Sequence, residues 1–160
     1  MPQSALLAPV LADDRAAPRL STDYLNRFGE ALMLIESVPV DEGVIDDLKA
    51  WRPMGYVEHF EVSALRCAPS AIAAYRNLDP KRRVAFDSVC RAMARLVSTA
   101  TILIEERSGS LDQTLIVDVT AEALRKLMAR ASRFINANGA TEIAMVSDAD
   151  LQGTIDTLFA

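Results

Sequence analysis

The strongest pattern in the chain is a three-and-four alternation of apolar positions that begins after Asp79-Pro80 and runs through Phe86, Val89, Met93, Leu96, Ala100 and Leu103. That spacing lays one apolar stripe along a helix. Cys90, Val97 and Ile104 widen the stripe, and Asp79 followed by Pro80 reads as a cap with proline at the first helical position, which predicts a helix over 80–107. Arg107-Ser-Gly-Ser110 interrupts it. The rhythm resumes at Val117, Thr120, Leu124, Leu127, Ala131 and Phe134 and stops at Asn138-Gly139, a left-handed cap signal, so a second helix is predicted over 112–138. Two long helices joined by a short turn form an antiparallel hairpin.

Shorter amphipathic stretches flank this hairpin. Tyr24, Leu25, Phe28, Leu32 and Ile35 share a face of a helix from Thr22 or Asp23 to about Ser37, stopped by Pro39. An acidic helix is predicted over 41–51 with Val44, Ile45, Leu48 and Trp51 on one side, a third over 55–66, and a fourth opening at Pro69 and running to Leu78. The last, over 147–160, presents Leu151, Ile155, Leu158 and Phe159. The expected fold is all-α, a helical bundle of about six helices forming a single domain over 22–160. An arm over 1–21, mobile or docked, precedes it and carries Pro2, Pro9 and Pro18. One competing reading stays open: 114–119 and 141–146 are rich in β-branched residues and flank a helix, as in a strand-helix-strand unit.

Composition narrows the class of protein. With 160 residues and 51% hydrophobic positions, the chain has enough apolar material for one core without disulfides or metals. Its longest apolar runs fall well short of the roughly 20 residues a spanning helix needs, so no membrane association is expected. The stretch Ala5 to Ala12 lacks a basic segment before it and leads into Asp13-Asp14, which is unlike a secretory signal, and a cytoplasmic location is expected. Cys67 and Cys90 stand alone, with no C-x-x-C spacing, and read as reduced thiols.

Charge is unevenly spread. Residues 1–79 hold 7 basic and 12 acidic side chains, residues 80–138 hold 10 and 6, and residues 139–160 hold 0 and 4. Folding the basic stretch into a hairpin turning near Gly109 brings Lys81, Arg82, Arg83, Arg91 and Arg95 to the same end as Arg125, Lys126, Arg130 and Arg133. Arginine offers paired donors that suit carboxylate or phosphate, so this end is a candidate site for an anion or an acidic partner. Internal neutralisation is the competing account, by the acidic helix with Asp41, Glu42, Asp46 and Asp47 or by the acidic C-terminal helix. A nucleic-acid partner is disfavoured by the net charge of −5 and the lack of interleaved aromatics.

Other candidate chemistry is sparse. The string from Asp148 to Phe159 resembles an EF-hand calcium loop, with Asp148, Asp150, Gly153, Ile155 and Asp156 at positions one, three, six, eight and nine. Position twelve is Phe159 where the loop needs a bidentate Glu, so Asp148, Asp150 and Asp156 are metal candidates only if another ligand completes the set; a capped helix is the simpler account. His59, the single histidine, is too solitary for a di-iron or zinc centre but sufficient for a phosphoacceptor. Exposure decides that idea: a ring more than half buried removes it. Cys67 would share a helical face with His59 only on an unbroken helix. No phosphate-binding or nucleophile-elbow motif occurs, and no cofactor is expected.

Together these features predict a non-catalytic interaction or regulatory module, homodimeric through its long apolar stripes and binding a protein partner. The N-terminal arm and the face of Leu151, Ile155, Leu158 and Phe159 are its candidate docking elements. A phosphotransfer protein using His59 and an anion or nucleic-acid binder at the basic end are the alternatives.

Overall fold

In the computed structural model the described residues are 17–147 together with 149, 150, 152, 153 and 156. They form an all-α fold of six α-helices and no strands, preceded by a 3-10 turn at Thr22–Leu25. In chain order the helices are α1 (Asn26–Ser37), α2 (Val44–Ala50), α3 (Tyr56–Glu61), α4 (Ala68–Arg76), α5 (Pro80–Glu106) and α6 (Leu111–Asn136). None is long and apolar enough to cross a membrane. Beyond α6, the described residues Ala149, Asp150, Gln152, Gly153 and Asp156 are also helical.

The α5–α6 antiparallel pair is the frame. Asp79 accepts from the amides of Lys81 and Arg82 at 3.1 and 3.3 Å, and α5 then runs for 27 residues, about 40 Å. Its apolar stripe is buried against α6, with Val89, Met93, Leu96 and Ala100 facing Val117, Leu124 and Ala131 in one continuous core. Gln113 reaches across to the Ile104 carbonyl at 3.1 Å and sets the register at the turn. At the far end α6 finishes with Asn138 and Gly139 both at positive φ, and the Gly139 amide donates to Phe134 O at 3.0 Å.

α1 lies against α6 and α2, and α2 reaches α5 near the hairpin turn. Aromatic rings tie this layer to the frame. Tyr24 meets Phe28 and Tyr56 edge-on at 5.6 and 5.4 Å, Tyr56 stacks on Tyr75 at 5.3 Å, and Phe86 stacks on Phe134 at 5.2 Å. Residues 17–21 are docked, since Asn138 accepts from the Leu20 amide at 2.8 Å and donates to the Pro18 carbonyl at 3.1 Å. Residues 1–16 of the expected arm lie outside the described residues.

Two expectations are corrected. The third helix stops at Glu61 rather than running to Arg66: Ser63 turns the chain by accepting from the Leu65 amide at 3.0 Å, and Pro69 belongs to the opening of α4. The strand alternative fails because 114–119 lie inside α6, while 141–146 have no regular secondary structure.

Candidate functional site

Residues 140–147 leave the Gly139 cap and run without regular structure over the groove between α5 and α6. Arg82 holds their start: its guanidinium meets Glu142 Oε1 at 3.3 Å and donates to the Gly139 carbonyl at 3.3 Å. Ile143 is buried in the core cluster at 7% exposure. Arg130 on α6 then donates to the Ala144 carbonyl, and the Val146 amide donates to Ser88 Oγ on α5, both at 3.3 Å. Past Val146 the groove continues as a depression of about 300 Å³ with Leu96, Ala123 and Leu127 on its walls and Lys126, Arg130 and Asp150 beside them.

This geometry divides the nine cations expected at one end. Arg82, Lys126 and Arg130 serve the groove. Arg83 turns the other way and donates to the Arg76 carbonyl on α4 at 3.4 Å, and Arg91 faces the loop before α3. Arg125 forms an ion pair with Glu36 of α1, and Lys126 also pairs with Glu122 at 3.0 Å. Lys81, Arg95 and Arg133 are exposed, and Arg95 is engaged in a polar contact. Successive helical positions diverge by about 100°, so charges close in sequence radiate to several faces instead of forming the single stripe a nucleic-acid backbone favours.

Of the internal partners considered for these cations, the C-terminal helix brings Asp150 to the depression beside Lys126 and Arg130, while Arg82 meets Glu142, which precedes that helix. The acidic helix α2 sits at the opposite end of the hairpin, where Lys49 pairs with Glu105 at 2.8 Å and Glu42 accepts from Ser108 at 3.1 Å. Among the described residues of the Asp148–Phe159 string, Asp150 and Asp156 are helical, Asp150 exchanges hydrogen bonds with Ser147, and Asp156 accepts from Gln152 at 2.8 Å. Asp148, Leu151, Ile155, Leu158 and Phe159 lie outside the described residues. No cluster of three or more metal-ligating side chains occurs among the described residues.

His59 sits in α3 with its side chain 13% exposed, Nε2 at 2.9 Å from Asp23 Oδ2 and its ring edge-on to Tyr24 and Phe60. It fails the exposure criterion for a phosphoacceptor. Cys67 is exposed at the start of α4, separated from α3 by the break after Glu61, and is not aligned with His59.

Sequence reading missed a second concavity, of about 400 Å³, between the loop preceding α3 and the Asp87 face of α5. Tyr75 donates to both oxygens of Asp87 at 2.8 Å, and Tyr24 donates to the Met54 carbonyl at 2.8 Å. Burial pushes the Cys90 thiol up to about 12 and the Asp87 carboxyl above its ordinary range. Residues from the 3-10 turn, α3, α4 and α5 meet here, and no local spacing announces such a meeting.

No family model, curated protein or solved structure matches this chain. Its chemistry is therefore read from its own geometry.

Proposed function

We propose that this protein is a non-catalytic helical interaction or regulatory module, cytoplasmic and homodimeric, that docks an acidic segment of a partner protein along the α5–α6 groove. One observation carries the reading: an irregular segment of the chain itself, with one acidic residue, already lies there, with Glu142 on Arg82, Ile143 buried, Ala144 O on Arg130 and Val146 N on Ser88. A groove that supplies cationic donors, an apolar slot and a serine hydroxyl that accepts from a backbone amide to one such segment supplies them equally to another. The resident segment is lightly held. Its contacts to Arg130 and Ser88 are each 3.3 Å long, and Met145 between them is 56% exposed.

Two further features support the rest of the reading. Ile102, Leu111 and Leu115 leave exposed apolar surface near the hairpin turn, as a self-associating face requires. Cys67 and Cys90 are both unpaired, in keeping with a reducing compartment.

A fluorescent peptide with the sequence of residues 140–160 tests the groove. The Glu142→Lys/Ile143→Glu double variant, whose own segment is loosened, is expected to bind it about tenfold more tightly than the unaltered chain, and more weakly as salt rises. Adding Arg82→Glu and Arg130→Glu removes the binding. A loosened chain that keeps its helical circular dichroism yet ignores the peptide overturns the reading. Light scattering on the unaltered chain checks the dimer, and a monomer mass at micromolar concentration refutes that part alone.

A further inference from the structure

The second concavity lies on a different face of α5 from the groove. Residues 87, 90, 91 and 94 follow helical spacing and line one wall, so Asp87 and Arg91, one turn apart, both border the same space. Arg91 acts on Asp87 through its charge, with no hydrogen bond between them. Each keeps bonding capacity. The Asp87 carboxylate receives a single proton, shared between its oxygens, from Tyr75, whereas an ionised carboxylate accommodates about four donors. Arg91 is exposed, and Glu58, also exposed, lines the same space from α3.

The remaining lining is apolar or neutral. Pro53, Val57 and Ala94 offer hydrocarbon surface, and the Cys90 thiol, kept protonated by burial, brings no charge. The volume of about 400 Å³ falls at the lower end of small-molecule sites and has room for an occupant of amino-acid size. A lone amine would leave Arg91 without an anion, and a lone acid would add charge beside two carboxylates.

We infer that this concavity binds a small zwitterion of the α-amino-acid class with an apolar side chain, its ammonium toward Asp87 and Glu58 and its carboxylate toward Arg91. The half-buried Asp87 carboxylate supports this independently. Burial raises its pKa despite the Tyr75 hydrogen bond and the nearby Arg91 and Arg83, so an added cation there relieves an existing cost.

The test is calorimetric titration of the full chain with L-leucine, L-methionine and L-phenylalanine, beside isoamylamine and 4-methylpentanoate as the amine and acid halves of leucine. At least one amino acid is expected to bind in the millimolar range or tighter, and both halves of leucine about tenfold more weakly than leucine itself if leucine is the binder. Arg91→Gln, at an exposed position, is expected to weaken the amino acid about tenfold, and Asp87→Asn to do the same while keeping an acceptor for Tyr75. Three results overturn the inference: no saturation by any of the three at about 10 mM, halves that bind as well as the parent, or an Arg91→Gln chain that binds like the original. The groove peptide does not report on this face, so either result leaves the docking proposal to its own test.

Discussion

All three tyrosines of the chain are protonated groups held in place by packing and by specific partners. Burial is the largest influence on each: it pushes Tyr56 up to about 12 and Tyr24 and Tyr75 higher still, the latter also facing the Asp87 carboxylate. The sign of the pH effect follows. In the unfolded chain a phenol ionises near 10 and a thiol near 9, whereas the folded chain retains those protons, so above about pH 9 the folded state binds more protons and stability falls as pH rises. Tyrosinate absorbance should therefore show no step near pH 10 and should rise only with the loss of helical circular dichroism or above about pH 12. Three phenols titrating near 10 in a chain that keeps its helicity would contradict the buried tyrosine cluster.

At the scale of elements, the two glycines that close α5 and α6 separate backbone strain from packing. Gly109 in the turn and Gly139 after α6 have φ of 77° and 71°, a region that costs a residue with a Cβ about 1 kcal/mol or more. An added Cβ at Gly109 meets nothing within 4 Å, whereas at Gly139 it would fall 2.2 Å from Leu78 Cδ2. Gly109→Ala is therefore expected to cost about 1 kcal/mol and Gly139→Ala about 3 kcal/mol, because the second also forces the Leu78 side chain to shift in a space it shares with Phe134 and Leu20. Urea denaturation midpoints distinguish the two; equal losses would mean that the Leu78 contact yields freely. The same junction binds the beginning of the described chain to the end of α6, through the Asn138 side chain and residues 18 and 20.

For the whole molecule, a single buried cluster runs from Leu20 through α1 to α5 and α6 and on to Ile143. Trp51 reports on the layer of shorter helices: its indole donates to the Arg27 carbonyl at 3.1 Å and its ring packs on Phe28. The hairpin holds most of the helix and dominates circular dichroism. If the cluster melts as one unit, Trp51 fluorescence and helical dichroism will give coincident urea transitions, and a fluorescence change that precedes the dichroism would show the shorter helices detaching first. The groove segment rests on the hairpin at the margin of this cluster, anchored chiefly by Ile143, which is why exchange for another acidic segment is the motion proposed for it.

The sequence by itself determined what is periodic and local. Phe86 to Leu103 and Val117 to Phe134 specify two long helices because one buried stripe every three or four residues has no other economical solution. Asp79-Pro80 and Asn138-Gly139 mark their ends through backbone chemistry confined to a few residues. Even the basic character of the hairpin was legible. Where the charges point was not: Arg82 and Arg83 are neighbours in sequence, yet one meets Glu142 and the other the Arg76 carbonyl. Nor did any spacing foretell that Tyr75 would clasp Asp87, or that the acidic helix would sit at the hairpin turn while the C-terminal segment took the groove. Those outcomes depend on the packing angles and rotational phase of helices far apart in the chain, which local periodicity leaves free and only the closing of the shared core decides.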